Sequence, residues 1–176
     1  MWRIAAIADA NDPALMPQIE AIFFGNAATR SFTSGAERAA YHDLWLGRYV
    51  RHCPQQFLVA ANADGEVAGY LAGALMSNRE PLPGPDYYDG FPAAMIDAYP
   101  AHLHVNVRED CRGRTVGSAL IDAFRAICRE HDMRGFHAVT AAGSRAAAFF
   151  TRCGLDERAT ADWRGRALAF LAAPLG

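Results

Sequence analysis

The chain has 176 residues, 52 % of them hydrophobic, which suits one domain over 1–176 with a sizeable core. Its 17 basic residues are all arginine and face 19 acidic ones, a formal charge of -2 that supplies no basic stripe for nucleic acid and no polybasic anchor for a membrane. The lack of lysine excludes a Walker A loop, a pyridoxal-phosphate Schiff base and a kinase-type phosphate lysine, since each needs the amine.

The N-terminus, Met1 to Ala8, has too short an apolar run for a signal peptide and no later stretch approaches a membrane span, so a cytoplasmic protein is expected. Cys53, Cys111, Cys128 and Cys153 form no CxxC pair and read as reduced thiols. In chain order, a strand is predicted at about Arg3 to Ala8. A helix comes next, with Asp12 as N-cap, Pro13 at its first position and a buried stripe of Leu15, Ile19, Ile22 and Phe23. A second helix, about Ala36 to Arg51, places Tyr41, Leu44, Trp45 and Tyr49 at helical spacing and stops before Pro54.

Phe57 to Ala61 and Val67 to Met76 flank Asp64-Gly65 and predict an antiparallel hairpin. From Asn78 to Tyr99 prolines and glycines break the pattern, which predicts a long loop with a short helix near Ala93 to Ala98. Ala101 to Val107 alternates, with His102, His104 and Asn106 on one face and Leu103, Val105 and Val107 on the other. Val116 to Glu130 is an amphipathic helix through Leu120, Ile121, Phe124, Ile127 and Cys128. A strand at Gly135 to Ala141, a helix at Ser144 to Cys153 and a hairpin around Arg164-Gly165 complete the prediction, without repeats or a linker.

The junction from Val107 to Ser118 takes a strand into a helix through Arg108, Arg112, Gly113, Arg114, Thr115, Val116 and Gly117. The first turn of a helix presents N–H groups and the positive end of its dipole, and glycines let a phosphate approach the backbone, so an anion site is predicted. An ordinary helix cap with solvated arginines is the competing reading. A Rossmann site is disfavoured, because no third glycine stands in register and Val139-Thr140-Ala141 ends the next strand without an acidic residue.

Arg112-Gly113-Arg114-Thr115-Val116-Gly117 resembles the signature of the GNAT superfamily of acetyl-CoA-dependent N-acyltransferases: Gln or Arg, two residues, Gly, one residue, then Gly or Ala. The order of elements, and the run Ala147 to Leu155, extend the resemblance over nearly the whole chain. It implies an α/β (α+β) acyl-CoA N-acyltransferase fold, a central twisted mixed sheet flanked by helices. It further implies that acetyl-CoA lies along the backbone of Val105 and Val107, with its pyrophosphate on Arg112, Gly113, Arg114, Thr115, Val116, Gly117 and Ser118. A main-chain amide near Val105 would polarise the thioester carbonyl. Three positions depart from the family pattern. Thr115 replaces a glycine, Phe150 stands where many members place the tyrosine that protonates the CoA thiolate, and Gly143 replaces an asparagine.

His102 and His104 are the candidates for proton handling, since imidazole titrates near neutral pH. Hydrogen-bonded core histidines are the alternative. The His-Leu-His run is similar to that of arylalkylamine N-acetyltransferases, although one residue closer to Arg112. The segment Tyr99 to His104 is also similar to acetyltransferase-like domains related to those attached to O-GlcNAc hydrolases. Zinc or iron on His102 and His104, with His137 or Glu109 as a third ligand, is disfavoured for want of recognisable spacing, so no metal is expected. In the long loop, Asp86, Asp89 and Asp97 could attract a cation beside Tyr87, Tyr88 and Phe91, which points to a small cationic or aromatic amine as substrate. Plain solvation of a surface loop competes with that reading. The expectation is therefore acetyl transfer from acetyl-CoA to a small-molecule amine, without nucleic acid or membrane, with homodimer formation left open. A non-catalytic acyl-CoA-binding module is the alternative.

Overall fold

In the computed structural model, which describes residues 2–9, 12–27, 29 and 31–176, the contacts divide the chain into two compact units. The first comprises Met1–Gly73 and His104–Phe124, the second Ala74–Leu103 and Arg125–Gly176. Seven strands form a mixed sheet with the order β1-β2-β3-β4-β5-β7-β6.

In the first unit β1 (Arg3–Ala6) pairs antiparallel with β2 (Phe57–Ala61), from Arg3 opposite Ala61 to Ala6 opposite Leu58. β2 turns at Gly65, whose φ of 79° suits glycine, into β3 (Val67–Ala74), every residue of which is buried. The close approach of β4 (Ala101–Val107) explains Gly69, since a Cβ there would lie 2.7 Å from the Asn106 carbonyl. Helix α1 (Leu15–Asn26) buries the predicted stripe of Leu15, Ile19, Ile22 and Phe23. It begins two residues later than expected for Asp12 as N-cap. Asp12 instead makes a local turn, its carboxylate accepting from Ala14 N–H at 2.9 Å and its carbonyl from Leu15 N–H at 3.2 Å.

The predicted second helix is α-helical at both ends and wider in the middle. Helix α2 (Gly35–His42) is capped by Ser34, whose hydroxyl accepts from Glu37 N–H, while the Glu37 carboxylate accepts from Thr33. A π-helical turn at Asp43–Gly47 then leads into α3 (Arg48–His52). Such a turn inserts one residue into the helical repeat and so rotates α3 about the helix axis relative to α2. Leu46, Gly47, Arg48 and Tyr49 are consequently buried in succession, which one continuous amphipathic helix would not do.

In the second unit β4 pairs parallel with β5 (Gly135–Ala141) at Ala101 opposite Phe136 and His102 opposite His137. β5 then pairs antiparallel with β7 (Arg166–Pro174), which pairs with β6 (Asp156–Trp163). Arg164 and Gly165, at φ 53° and 74°, make the tight turn between β6 and β7. Helix α6 (Arg145–Arg152) starts at Ser144, whose hydroxyl accepts from Ala147 N–H at 3.1 Å. The long loop carries a 3-10 turn at Asp86–Gly90 and the short helix α4 (Ala93–Ala98), the latter over the predicted residues. Helix α5 (Val116–Glu130) has its N-terminus in the first unit.

Candidate functional site

The strand-to-helix junction lies wholly in the first unit. Val105 and Val107 are half-buried near the end of β4, after which Arg108 N–H donates to the Ala68 carbonyl at 2.8 Å. A 3-10 turn at Glu109–Cys111 buries Cys111 and leaves Arg112, Gly113, Arg114 and Thr115 exposed as a rim. Gly113 has φ 78°, and the space where a Cβ would stand is open. Thr115 closes the junction: its carbonyl accepts from Ala119 N–H at 2.9 Å and from the Ser118 hydroxyl at 2.9 Å. The helix therefore starts at Val116, and the N–H groups of Val116, Gly117 and Ser118 have no carbonyl one turn earlier to receive them. Those donors, with the positive end of a 15-residue helix, are the groups by which a helix start receives an anion.

Thr115 sits at φ 61°, in the left-handed region that costs a β-branched residue about 1–2 kcal/mol. Glycine would take this conformation without that cost. The threonine hydroxyl donates to the Arg114 carbonyl at 2.6 Å rather than outward. Gly143, at φ 66°, lies in the same region, which glycine and asparagine tolerate best.

Arg112 is held by Asn26, whose side-chain oxygen accepts from its guanidinium, and Glu109 lies 3.8 Å away. The Asn26 amide in turn donates to the Val107 carbonyl at 3.2 Å. Arg108 pairs with Asp110 at 2.7 Å and also donates to the Val67 carbonyl. A cavity of about 350 Å³ opens beside these groups, lined by Gln18, Ile22, Asn26, Arg108, Glu109 and Arg112.

His104 also belongs to the first unit. Its ring meets Trp45 edge-on at 5.2 Å and Tyr49 at 5.7 Å. Burial, and secondarily the positive charge of Arg48, lower its pKa to about 4, so His104 is neutral at physiological pH and a weak base. Arg48 is itself only 8 % exposed.

His102 lies in the second unit, 4 % exposed, within a buried polar chain. Ser77 Oγ lies 2.8 Å from His102 Nδ1 and donates to the Pro100 carbonyl at 2.6 Å. The His102 and His137 rings are 6.0 Å apart. His137 is fully buried against Phe170, with Nδ1 2.6 Å from the Tyr99 carbonyl and Nε2 2.9 Å from the Tyr88 hydroxyl.

Of the loop residues singled out for an amine, Asp86, Tyr87, Tyr88, Phe91 and Asp97 have partners within the protein. Asp86 accepts from Arg164 and from Trp163 Nε1, each at 2.8 Å, and these bonds hold its carboxyl below the usual range. Tyr87 and Tyr88 are 6 % and 3 % exposed and pack on each other, while Phe91 packs on Phe170. Asp97 pairs with Arg79, and Asp89 is exposed. Phe150 is buried in α6. Among the described residues no group of three His, Cys, Asp or Glu is arranged to hold a metal ion, and no helix is long and apolar enough to cross a membrane.

Sequence reasoning did not single out Asn26, Ser77 or Arg48, and it considered His137 only as a metal ligand. Asn26 and Arg112 are 86 residues apart and Ser77 and His102 are 25 apart, so no local spacing marks either pair.

A mixed seven-stranded sheet with flanking helices is the α/β acyltransferase fold. The chain belongs to the acetyltransferase (GNAT) family, which matches it over residues 22–155. Acetyl transfer in general follows from that membership. Among solved structures, SsHAT is similar at TM-score 0.71 and 20 % identity, over 99 % of this chain and 98 % of that one. Ard1 from Thermoplasma volcanium is similar at TM-score 0.62 and 19 % identity, over 99 % and 97 %. The ribosomal-protein-alanine N-acetyltransferase from Brucella melitensis is similar at TM-score 0.59 and 23 % identity, over 99 % of both. These are likenesses of fold. No curated protein sequence matches the chain.

Proposed function

We propose that this chain is a cytoplasmic enzyme that moves the acetyl group of acetyl-CoA onto the amine of a small molecule. The observation that carries the reading is the start of α5 at Val116, where the first N–H groups of the helix, those of Val116, Gly117 and Ser118, follow an exposed rim with Gly113 in a left-handed turn. The pyrophosphate fits there, because backbone donors serve it whatever the side chain at position 115, and Arg112 and Arg114 add charge. The family resemblance assigns the pantetheine arm to the backbone of Val105 and Val107, and carbonyl polarisation to an amide near Val105.

In the reaction, the amine lone pair forms a C–N bond to the thioester carbon as the C–S bond breaks, and the sulfur leaves with the electron pair. The ammonium proton must first go to a base. Of the two candidate histidines, His104 is the weaker base, and His102, held by Ser77, suits the proton acceptor. Phe150 has no proton to give, so the thiolate leaves unassisted, and the proton that the new amide nitrogen sheds goes to it or to water, which a thiol of ordinary acidity tolerates. Asp89, exposed on the long loop, is the carboxylate through which a cationic acceptor would be attracted; Asp86, Tyr87 and Tyr88 support that loop from behind.

The second reading, a non-catalytic acyl-CoA-binding module, is favoured by Phe150. The test is release of thiol from acetyl-CoA with tyramine, spermidine and an alanine-terminated peptide as acceptors, beside calorimetry with CoA. Binding together with amine-dependent thiol release supports the enzyme, while binding without release for any acceptor supports the module. Absence of CoA binding overturns both.

A further inference from the structure

The buried polar chain of the second unit fixes which nitrogen of each histidine carries the proton. Pro100 and Tyr99 offer carbonyl oxygens, which only accept. Ser77 has a single hydroxyl proton, and at 2.6 Å from the Pro100 oxygen that proton must lie between them. Ser77 Oγ can then only accept from His102 Nδ1 at 2.8 Å, so His102 Nδ1 is protonated. The same reasoning applies to His137. Its Nδ1 donates to the Tyr99 carbonyl at 2.6 Å, its Nε2 therefore carries the lone pair, and the Tyr88 hydroxyl donates into it at 2.9 Å.

We propose that Ser77 is a positioning residue that holds His102 as its Nδ1–H tautomer and so places the basic lone pair on Nε2. This rests on the reading of His102 as the base. Ser77 achieves it because the Pro100 carbonyl, immediately before β4, takes up its only proton. On the neighbouring ring, 6.0 Å away, the Tyr88 hydroxyl donates into the His137 Nε2 lone pair at 2.9 Å. A histidine whose proton sits on the wrong nitrogen presents a donor where the reaction needs an acceptor.

The experiment is a long-range ¹H–¹⁵N spectrum of the full ¹⁵N-labelled chain at neutral pH, which needs no acceptor amine. His102 is expected to show protonated Nδ1 and unprotonated Nε2, Ser77→Ala to move it toward the other tautomer, and Ser77→Thr to restore it. A wild-type His102 protonated on Nε2, or a tautomer unchanged in Ser77→Ala, overturns the proposal. With tyramine or spermidine as acceptor, Ser77→Ala should lower kcat roughly tenfold with KM for acetyl-CoA unchanged, and Ser77→Thr should recover the rate. If the tautomer moves but the rate does not, the catalytic consequence is overturned. An unchanged rate in His102→Ala would then locate that failure in the base assignment and not in the hold of Ser77 on the ring.

Discussion

Asn26 donates its side-chain amide to the backbone carbonyl of Val107, 81 residues further along the chain, at 3.2 Å. Its oxygen meanwhile accepts from Arg112, so one amide at the end of α1 braces both sides of the bend between β4 and the start of α5.

Replacing Asn26 by Ala should therefore weaken CoA binding without touching the phosphate donors themselves. Releasing Arg112 and the bend restores freedom worth about 0.5–1.5 kcal/mol per ordered side chain, or roughly a two- to twelvefold rise in Kd. Calorimetry with CoA reads this directly, and an unchanged Kd would show that the brace is irrelevant to CoA binding.

Thr115→Gly should stabilise the protein. The left-handed conformation at φ 61° costs threonine about 1–2 kcal/mol, and the extra freedom glycine brings to the unfolded chain offsets only part of that. A gain of about 0.5–1 kcal/mol is expected, seen as a rise of a few degrees in Tm. Thr115→Ala keeps the strain and should not show the gain.

His104 should make the protein sensitive to mild acid. Its pKa is near 4 in the folded state, below the ordinary 6.5, because burial disfavours the cation. Between those values the unfolded chain binds a proton that the folded chain refuses. The stabilisation is complete above pH 6.5 and is lost as pH falls toward 4, amounting to about 3 kcal/mol when fully lost. Urea unfolding at pH 7.5 and 4.5 checks it: the wild type should lose about 2–3 kcal/mol more than His104→Phe, in which the carboxylate contributions are common to both proteins.

Two substitutions in the long loop should differ sharply in cost. Asp86 and Arg164 are more than half exposed, so Asp86→Ala should cost under about 1 kcal/mol. Tyr88→Phe keeps the ring but takes the donor from the buried His137 Nε2, for about 1–3 kcal/mol. Urea midpoints rank the two; the reverse order would mean that the network around His137 is held by other groups.

Strand β4, helix α5 and strand β5 have the bounds that alternation and amphipathic spacing predict, and α1 buries its predicted stripe. These elements were legible because their signals lie within a few turns or pleats. The π-helical turn at Asp43–Gly47 was not, since its mark is a shifted hydrogen-bond pattern and not a residue type. Prolines and glycines flagged the irregular backbone from Asn78 to Tyr99, yet carried no information on depth, so the burial of Tyr87 and Tyr88 was invisible. The start of α5 just after Arg112 to Thr115 could be read from the sequence because helix N-termini and glycines act locally. The partners that hold Arg112, His102 and Asp86 come from distant elements and became evident only in the fold.

The two oxygens of Asp86 receive Trp163 and Arg164, at the tip of the hairpin that joins β6 to β7. The long loop and that hairpin are therefore joined through one carboxylate. A change that shortens the loop removes the acceptor for both donors at once, yet costs little, because Arg164 is exposed enough to turn to water.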